Sequence, residues 1–282
     1  MTFPLPAALT EDFIRRALEE DLAHGGDLTT LSTIDPQAEG TATLNTREDG
    51  VLAGIDIAAQ VFALVDPSTD VHTEVSDGQK IQQGQTLLTA KGSARTLLTA
   101  ERTALNILSH LCGIATLTDT YVQKTEGTKA QIAGTRKTLP GLRIFQKHAI
   151  RAGGGMTHRM SLSDAIMIKD NHIAAAGSIA GAVEKARAFA GHTVKVEVEV
   201  DTLAQLETAL AARPDIVLLD NMSTGDLKEA VRLTSGRAVL EASGGVNLET
   251  VRAIAETGVD VISVGALTHS ARSIDIGMEL TV

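Results

Sequence analysis

The sequence predicts an α/β protein, in which a mixed α+β segment precedes an incomplete or irregular β/α barrel, and three observations carry that expectation. From about Gln131 onward, apolar runs alternate with helical stretches, and the last five runs start roughly 20 to 30 residues apart. That pattern means parallel strands joined by right-handed crossovers. In "VKVEVEVD" Val194, Val196, Val198 and Val200 fall on one face, while Lys195, Glu197, Glu199 and Asp201 fall on the other. An open doubly wound sheet buries both faces, whereas a barrel tolerates polar groups on its inner face near the C-terminal mouth, so the alternation favours the barrel. Finally, 43% of the residues are apolar and only 2% aromatic, a supply of Ala, Val, Ile and Leu suited to helices packed on a buried parallel sheet.

Taken in order, "TEDFIRRALEEDL" reads as an amphipathic helix capped at or near Thr10 and ended by the glycines of "HGGDLTT". Strand-like runs follow at Thr41 to Thr46, Val71 to Val75 and Thr86 to Ala90, with "GIDIAAQVFALVD" as a helix between the first two. From Ala94 to about Val122, Leu97, Leu98, Ala104, Leu105, Leu108 and Leu111 recur at helical spacing. The barrel strands are then "QIAGT", "AIMIKD", "VKVEVEVD", "DIVLLDN", "AVLEASGG" and "DVISVGAL". Six strands are too few for a complete eight-stranded barrel, hence the expected irregularity.

Composition excludes several classes. A formal charge of −10 and a pI near 5.3 argue against general nucleic-acid binding, which needs a broad basic surface. No apolar run approaches the ~20 residues of a membrane span, and "MTFPLPAALTEDF" has no basic n-region. With one cysteine, Cys112, no intrachain disulfide is possible; a cytoplasmic protein with a buried structural thiol is expected.

Against that acidic background, the stretch from Gly134 to Lys169 holds Arg136, Lys137, Arg143, Lys147, Arg151, Arg159 and Lys169 and one acid, Asp164. The strand ends supply two sets of groups to one cavity. Arg136, Lys137, His158, Arg159, Lys169 and His172 are cationic or can become so; Glu199 and Asp220 can receive hydroxyl protons or hold a divalent cation. "ASGG" at 242 to 245 and "VGAL" at 264 to 267 end the last two strands, where bare backbone N–H groups of β/α barrels hold phosphate. Together these describe a site for a multiply anionic ligand that carries hydroxyls. Plainer readings stand beside them: Arg136 and Lys137 as a solvated pair, Glu199 or Asp220 as partners of Lys169 or Lys195, His158 and His172 as caps, "GGG" at 153 to 155 as a turn. Arg143, Lys147 and Arg151 recur every four residues and could share one surface face of a helix.

The long stretch "GTRKTLPGLRIFQKHAIRAGGGMTHRMSLSDAIMIKDNH" resembles the signature of the quinolinate phosphoribosyltransferases. The likeness continues in order through "EEDLAHGGDLTT", "ERTALNILSHLCGIAT", "VEVEVDTLAQL", "VLLDNM", "LEASGGV" and "SVGALTHSARSIDIGMEL", and so covers nearly the whole chain.

The resemblance implies an N-terminal α/β sandwich over residues 1–112 and an incomplete β/α barrel over 113–282, with the last residues packing back on the N-terminal domain. It implies a homodimer or higher homo-oligomer with shared active sites, and Mg2+ as cofactor. The substrates would be quinolinate and 5-phosphoribosyl pyrophosphate. Arg136, Arg159 and Lys169 would bind quinolinate, helped by Thr135, Lys137 and His158, while Arg102 would reach in from the neighbouring subunit. Glu199 and Asp220 would hold ribose hydroxyls and the metal. Ser243, Gly244, Gly245, Val264, Gly265 and Ala266 would cradle the 5-phosphate. Lys137, Lys169, Glu199 and Asp220 stand nearest the reaction in that reading, with no general acid or base assigned. Two other classes compete: a Schiff-base aldolase built on Lys169, and a sensor that binds anionic metabolites without turnover.

Overall fold

The computed structural model describes residues 5–282; the opening "MTFP", on which the leader-free reading partly rests, lies outside them. The elements in chain order are α1 (Ala7–Leu22), α2 (Leu28–Thr33), β1 (Glu39–Thr46), β2 (Gly50–Val51), α3 (Ile55–Val65), β3 (Asp70–Thr73), β4 (Lys80–Ile81), β5 (Thr86–Ser93) and α4 (Ala94–Lys124). The second half runs β6 (Gln131–Ala133), α5 (Arg143–Ala152), β7 (Ile166–Ile168), α6 (Asp170–Ala176), α7 (Ile179–Phe189), β8 (Val196–Val200), α8 (Leu203–Ala212), β9 (Ile216–Asp220), α9 (Thr224–Thr234), β10 (Val239–Ser243), α10 (Val251–Ala255), β11 (Val261–Ser263), α11 (Ala266–His269) and β12 (Ile276–Thr281).

The chain forms two compact units that interleave along the sequence. The first comprises residues 1–119, 145–154 and 271–282, and the second 120–144 and 155–270. In the first, β12, β1, β5 and β3 make a four-stranded sheet in that order, every pair antiparallel. Ala42, Leu44 and Thr46 alternate inward along β1 and are fully buried, as a one-sided sheet requires. Phe62 of α3 and Leu97, Leu108, Leu111 and Ile114 of α4 fill the core of this unit. At the start of α3, Gly54 has φ +91°, and a Cβ there would lie 2.7 Å from Leu111 Cδ1. Only glycine answers both constraints. The two N–H groups that open α3, of Gly54 and Ile55, donate to the Asp77 carboxylate at 2.8 and 3.1 Å.

Some local expectations change here. Thr10 is not a cap: α1 begins at Ala7 after Pro6, and the buried Thr10 hydroxyl donates to Ala7 O and Gln60 Oε1. α2, the short β2–β4 pair and β12 carry no period-2 or period-3.6 apolar signal long enough to read. α5 is also no surface helix. Lys147 is 1% exposed, and Arg143 donates to Thr138 Oγ1 and Met160 O; only Arg151 of the three is exposed.

The second unit is the incomplete barrel. Six parallel strands run in the order β6, β11, β10, β9, β8, β7, with β6 and β7 as the two ends. Three crossover helices, α7, α8 and α9, start on a hydroxyl cap: Ser178 accepts from Gly181 N, Thr202 from Gln205 N and Ser223 from Asp226 N. In a parallel β/α arrangement the C-terminal strand ends all face one mouth. On β8, Val196, Val198 and Val200 are buried as expected, and so, unexpectedly, is Glu197 on the other face.

Candidate active site

At the C-terminal ends of these strands lies a cavity of about 430 Å³ within the second unit. Its wall brings together Thr135, Arg136, Lys137, His158, Arg159, Lys169, Glu199, Asp220 and Ser243 from the residues singled out in the sequence. A larger cavity of about 880 Å³ lies at the opposite strand ends; there Asp215 pairs with Arg187 and Lys195, and Asp260 with Lys129, so both carboxylates of its wall already have cationic partners.

Arg136 stands three residues beyond the end of β6, and its Nε is buried without a hydrogen-bond partner. Arg159 donates to Ala165 O at 3.1 Å and to Met167 Sδ at 3.5 Å. Burial, and then the neighbouring Arg136 charge, pull the Arg159 pKa below its ordinary value. Two guanidiniums in the wall of one partly desolvated cavity repel each other, and a bound anion relieves that cost. Lys169 caps the end of β7 and gives its ammonium to Glu199 Oε2 on the neighbouring strand. Glu199 is therefore the structural partner of Lys169, whereas Lys195 pairs with Asp215 instead. Asp220 closes β9 and accepts from Asn221 Nδ2 at 2.7 Å.

Around the late strands the backbone takes over. Gly244 and Gly245 have φ of +87° and +61°, and a Cβ on Gly244 would stand 2.2 Å from Asn221 Oδ1. Gly265 lies against Lys137, where a Cβ would meet Lys137 Cδ at 3.1 Å. Val264 turns its side chain into the core at 1% exposure and offers only its backbone; Ala266 opens α11. Arg102 lies on α4 in the first unit and is exposed, with Glu101 at 3.9 Å. His172 is a cap: its Nδ1 accepts the Lys169 N–H at 3.0 Å.

Sequence reasoning missed Met167, Leu218, Glu241 and Ser263 in the wall and Glu197 beneath it. A signal existed. Each stands two residues before a strand-end residue, Lys169, Asp220, Ser243, Gly265 or Glu199 respectively, and so occupies the same face one layer deeper. Glu197 is 1% exposed and Glu241 4%. Burial first, and Glu241 second, raise the Glu197 pKa to about 7, opposed by His158, Arg159 and Lys169. Cys112 is as expected an inert thiol: it is fully buried, shares hydrogen bonds with the Ala53 backbone, and burial pushes its pKa up to about 12.

Fold and site together define a β/α-barrel enzyme whose cavity is built for a substrate with several negative charges. Residues 114–279 match the family profile "Quinolinate phosphoribosyl transferase, C-terminal domain", and residues 27–112 match the N-terminal domain of the same family. The chain is 49% identical over 276 residues to the nicotinate-nucleotide pyrophosphorylase (carboxylating) of Mycobacterium leprae, covering 95% of this chain and 96% of that one. It is 42% identical to a mitochondrial quinolinate phosphoribosyltransferase (decarboxylating) of Nicotiana tabacum, covering 98% of this chain and 84% of the other. The crystal structure of NadC from Streptococcus pyogenes superposes with a TM-score of 0.96 at 42% identity, covering 99% of both chains. The chain belongs to the quinolinate phosphoribosyltransferase family.

Proposed function

We propose that this chain transfers the phosphoribosyl group of 5-phosphoribosyl pyrophosphate to the ring nitrogen of quinolinate, with loss of the 2-carboxylate as carbon dioxide. The products are nicotinate mononucleotide and pyrophosphate, as in de novo NAD biosynthesis. The observation that carries this reading is the convergence of Arg136 and Arg159 on one cavity wall, with a buried Arg136 Nε left unpartnered. Such an arrangement suits the two carboxylates of quinolinate, which guanidinium groups can grip in pairs of hydrogen bonds.

In this reading Arg136, Arg159 and Lys169 hold the dicarboxylate, flanked by Thr135, Lys137 and His158. Glu199 and Asp220 take the ribose hydroxyls, and the turns at Ser243 to Gly245 and Val264 to Ala266 cradle the 5-phosphate with backbone N–H groups. The bond from ribose C1 to pyrophosphate breaks as the bond to the ring nitrogen forms, and positive charge grows on the ribose. Carboxylates near C1 favour that charge more in the transition state than in the bound substrate. Once ribosylated, the ring nitrogen is cationic. It stabilises the electron pair left on carbon 2 as carbon dioxide departs, and that carbon then takes up a proton. The enzyme's service in this second step is to hold the ring in place.

Glu199 and Asp220 end adjacent strands and offer hard oxygen donors. That donor set fits Mg2+, which takes one or two carboxylates and completes its shell with phosphate oxygens and water. When bound, Mg2+ would supply positive charge against the departing pyrophosphate. The exposed Arg102 of α4 supports a shared site, in which it serves a neighbouring subunit of a homodimer or higher homo-oligomer. A cytoplasmic location is supported by the single cysteine and by the lack, among the described residues, of any helix long and apolar enough to cross a membrane. The Schiff-base alternative is weakened by the Lys169–Glu199 ion pair, which already engages the lysine nitrogen with a carboxylate. Replacing quinolinate by nicotinate tests the dicarboxylate reading. Loss of one carboxylate should cut kcat/KM by about 100-fold, and equal use of both acids would contradict it.

A further inference from the structure

Glu197 and Glu241 are the least expected side chains in the barrel. Both are almost wholly buried, and each keeps one carboxylate oxygen, Oε1, with no hydrogen-bond partner. An oxygen of each and a ring nitrogen of His158 lie within 4.8 Å of one another. Buried carboxylates cost several kcal/mol unless something compensates them, so two in contact with one histidine call for a physical reason.

His158 supplies it. Its φ is +53°, a left-handed conformation that residues other than glycine rarely adopt and that clusters at functional sites. The Arg159 N–H donates to His158 Nδ1 at 2.7 Å. A ring nitrogen that accepts carries no proton, so the ring proton sits on Nε2. Nε2 faces Glu241 Oε1 at 3.4 Å and Glu197 Oε2 at 3.7 Å. The residue that follows the strained turn is Arg159, one of the two guanidiniums of the cavity wall.

We infer that Glu197 and Glu241 are positioning residues: their carboxylates flank the His158 Nε2–H at 3.7 and 3.4 Å, without a formed hydrogen bond but close enough to attract it, hold the His158–Arg159 turn in its left-handed form, and so aim Arg159 at the acid substrate. The inference rests on the quinolinate reading above. It also refines the part of His158, whose ring works through Arg159 while both its nitrogens face protein groups. Leucine at either glutamate keeps the volume and removes the acceptor, whereas glutamine keeps an acceptor oxygen.

Steady-state kinetics on Glu197→Leu, Glu241→Leu and the two glutamine variants test this, after the unaltered enzyme has been assayed. Each leucine variant should raise KM for quinolinate by about tenfold or more and leave KM for 5-phosphoribosyl pyrophosphate within about twofold, while glutamine restores the quinolinate KM to within about threefold. An equal rise in both KM values, a loss confined to kcat, or glutamine as damaging as leucine overturns the inference. Should the leucine variants fail to fold, the tautomer decides on the unaltered enzyme. Nitrogen-15 NMR of labelled histidine should show His158 protonated at Nε2 and not at Nδ1; the reverse pattern overturns the assignment. Stoichiometric Mn2+ uptake without substrates that survives Asp220→Asn and is lost in Glu241→Gln would make the cluster a metal site and also overturn it. An inactive unaltered enzyme overturns the quinolinate reading and this inference together, whereas an active enzyme with unaffected variants overturns the inference alone.

Discussion

Lys169 and Glu199 stand side by side at the ends of two neighbouring parallel strands, the ammonium of one bonded to the carboxylate of the other. The lysine side chain is 45% exposed, so the pair contributes little to stability, and its charges remain available to ligands. Lys169→Met should lower kcat/KM for quinolinate by about 10- to 100-fold, the worth of one charge-assisted hydrogen bond, with the melting temperature nearly unchanged. Kinetics paired with a thermal melt check this; a large drop in melting temperature with normal kinetics would assign the pair to the fold alone.

The Gly244 turn makes a separate prediction about the donor substrate. Gly244→Ala would force a left-handed backbone on alanine and push a methyl group to 2.2 Å from Asn221 Oδ1. Displacement of that turn should raise KM for 5-phosphoribosyl pyrophosphate by about tenfold and leave KM for quinolinate near its original value. The opposite pattern would remove this turn from the phosphate cradle.

Asp77 gives a dependence on pH in the first unit. Burial works to raise its pKa, but the bond with His148 at 2.6 Å and the N–H groups of Gly54 and Ile55 prevail, and the net shift is downward from 3.8. A depressed acid stabilises the fold above its unfolded pKa, and that stability is lost as pH falls through the lower folded value. Asp77→Asn should cost about 2 kcal/mol at neutral pH. Chemical denaturation at pH 7 and at pH 3 should show the gap between variant and unaltered protein closing in acid; a gap that widens there would reverse the sign.

Arg102 provides the test of the shared site. Arg102→Ala and Lys169→Ala, each strongly impaired alone, should recover to about a quarter of full activity when mixed subunits exchange, because half of the dimers then hold one intact site of two. Exchange is followed by native mass spectrometry. Exchange without recovery would place Arg102 outside the neighbour's site.

Much of this molecule can be read from the chain because barrel strands are short, apolar and evenly spaced. Lys169, Asp220 and Ser243 could be placed at the mouth, since a strand end is where an apolar run meets a polar residue. One layer deeper the pattern hides its meaning. Glu241 sits within "AVLEASGG" as a lone acid in an apolar run, and only the period of two that links it to Ser243 marks it as facing inward. Glu197 was visibly on the polar face of β8, yet nothing in the sequence says that this position is sealed from water. The strand character of β12 is not legible for another reason, although the resemblance implies that the last residues pack back on the N-terminal domain. Its pairing with β1 joins Thr41 to Thr281, a contact across almost the whole chain that no local pattern records. α5 shows the converse error, since charges every four residues suggest a wet face, but its Lys147 is buried.

The central claim is one reaction with two linked losses. Purified protein incubated with quinolinate, 5-phosphoribosyl pyrophosphate and Mg2+ should release pyrophosphate and carbon dioxide in equal amounts, with nicotinate mononucleotide formed in step. Pyrophosphate without carbon dioxide, or neither product from correctly folded protein, would contradict the account.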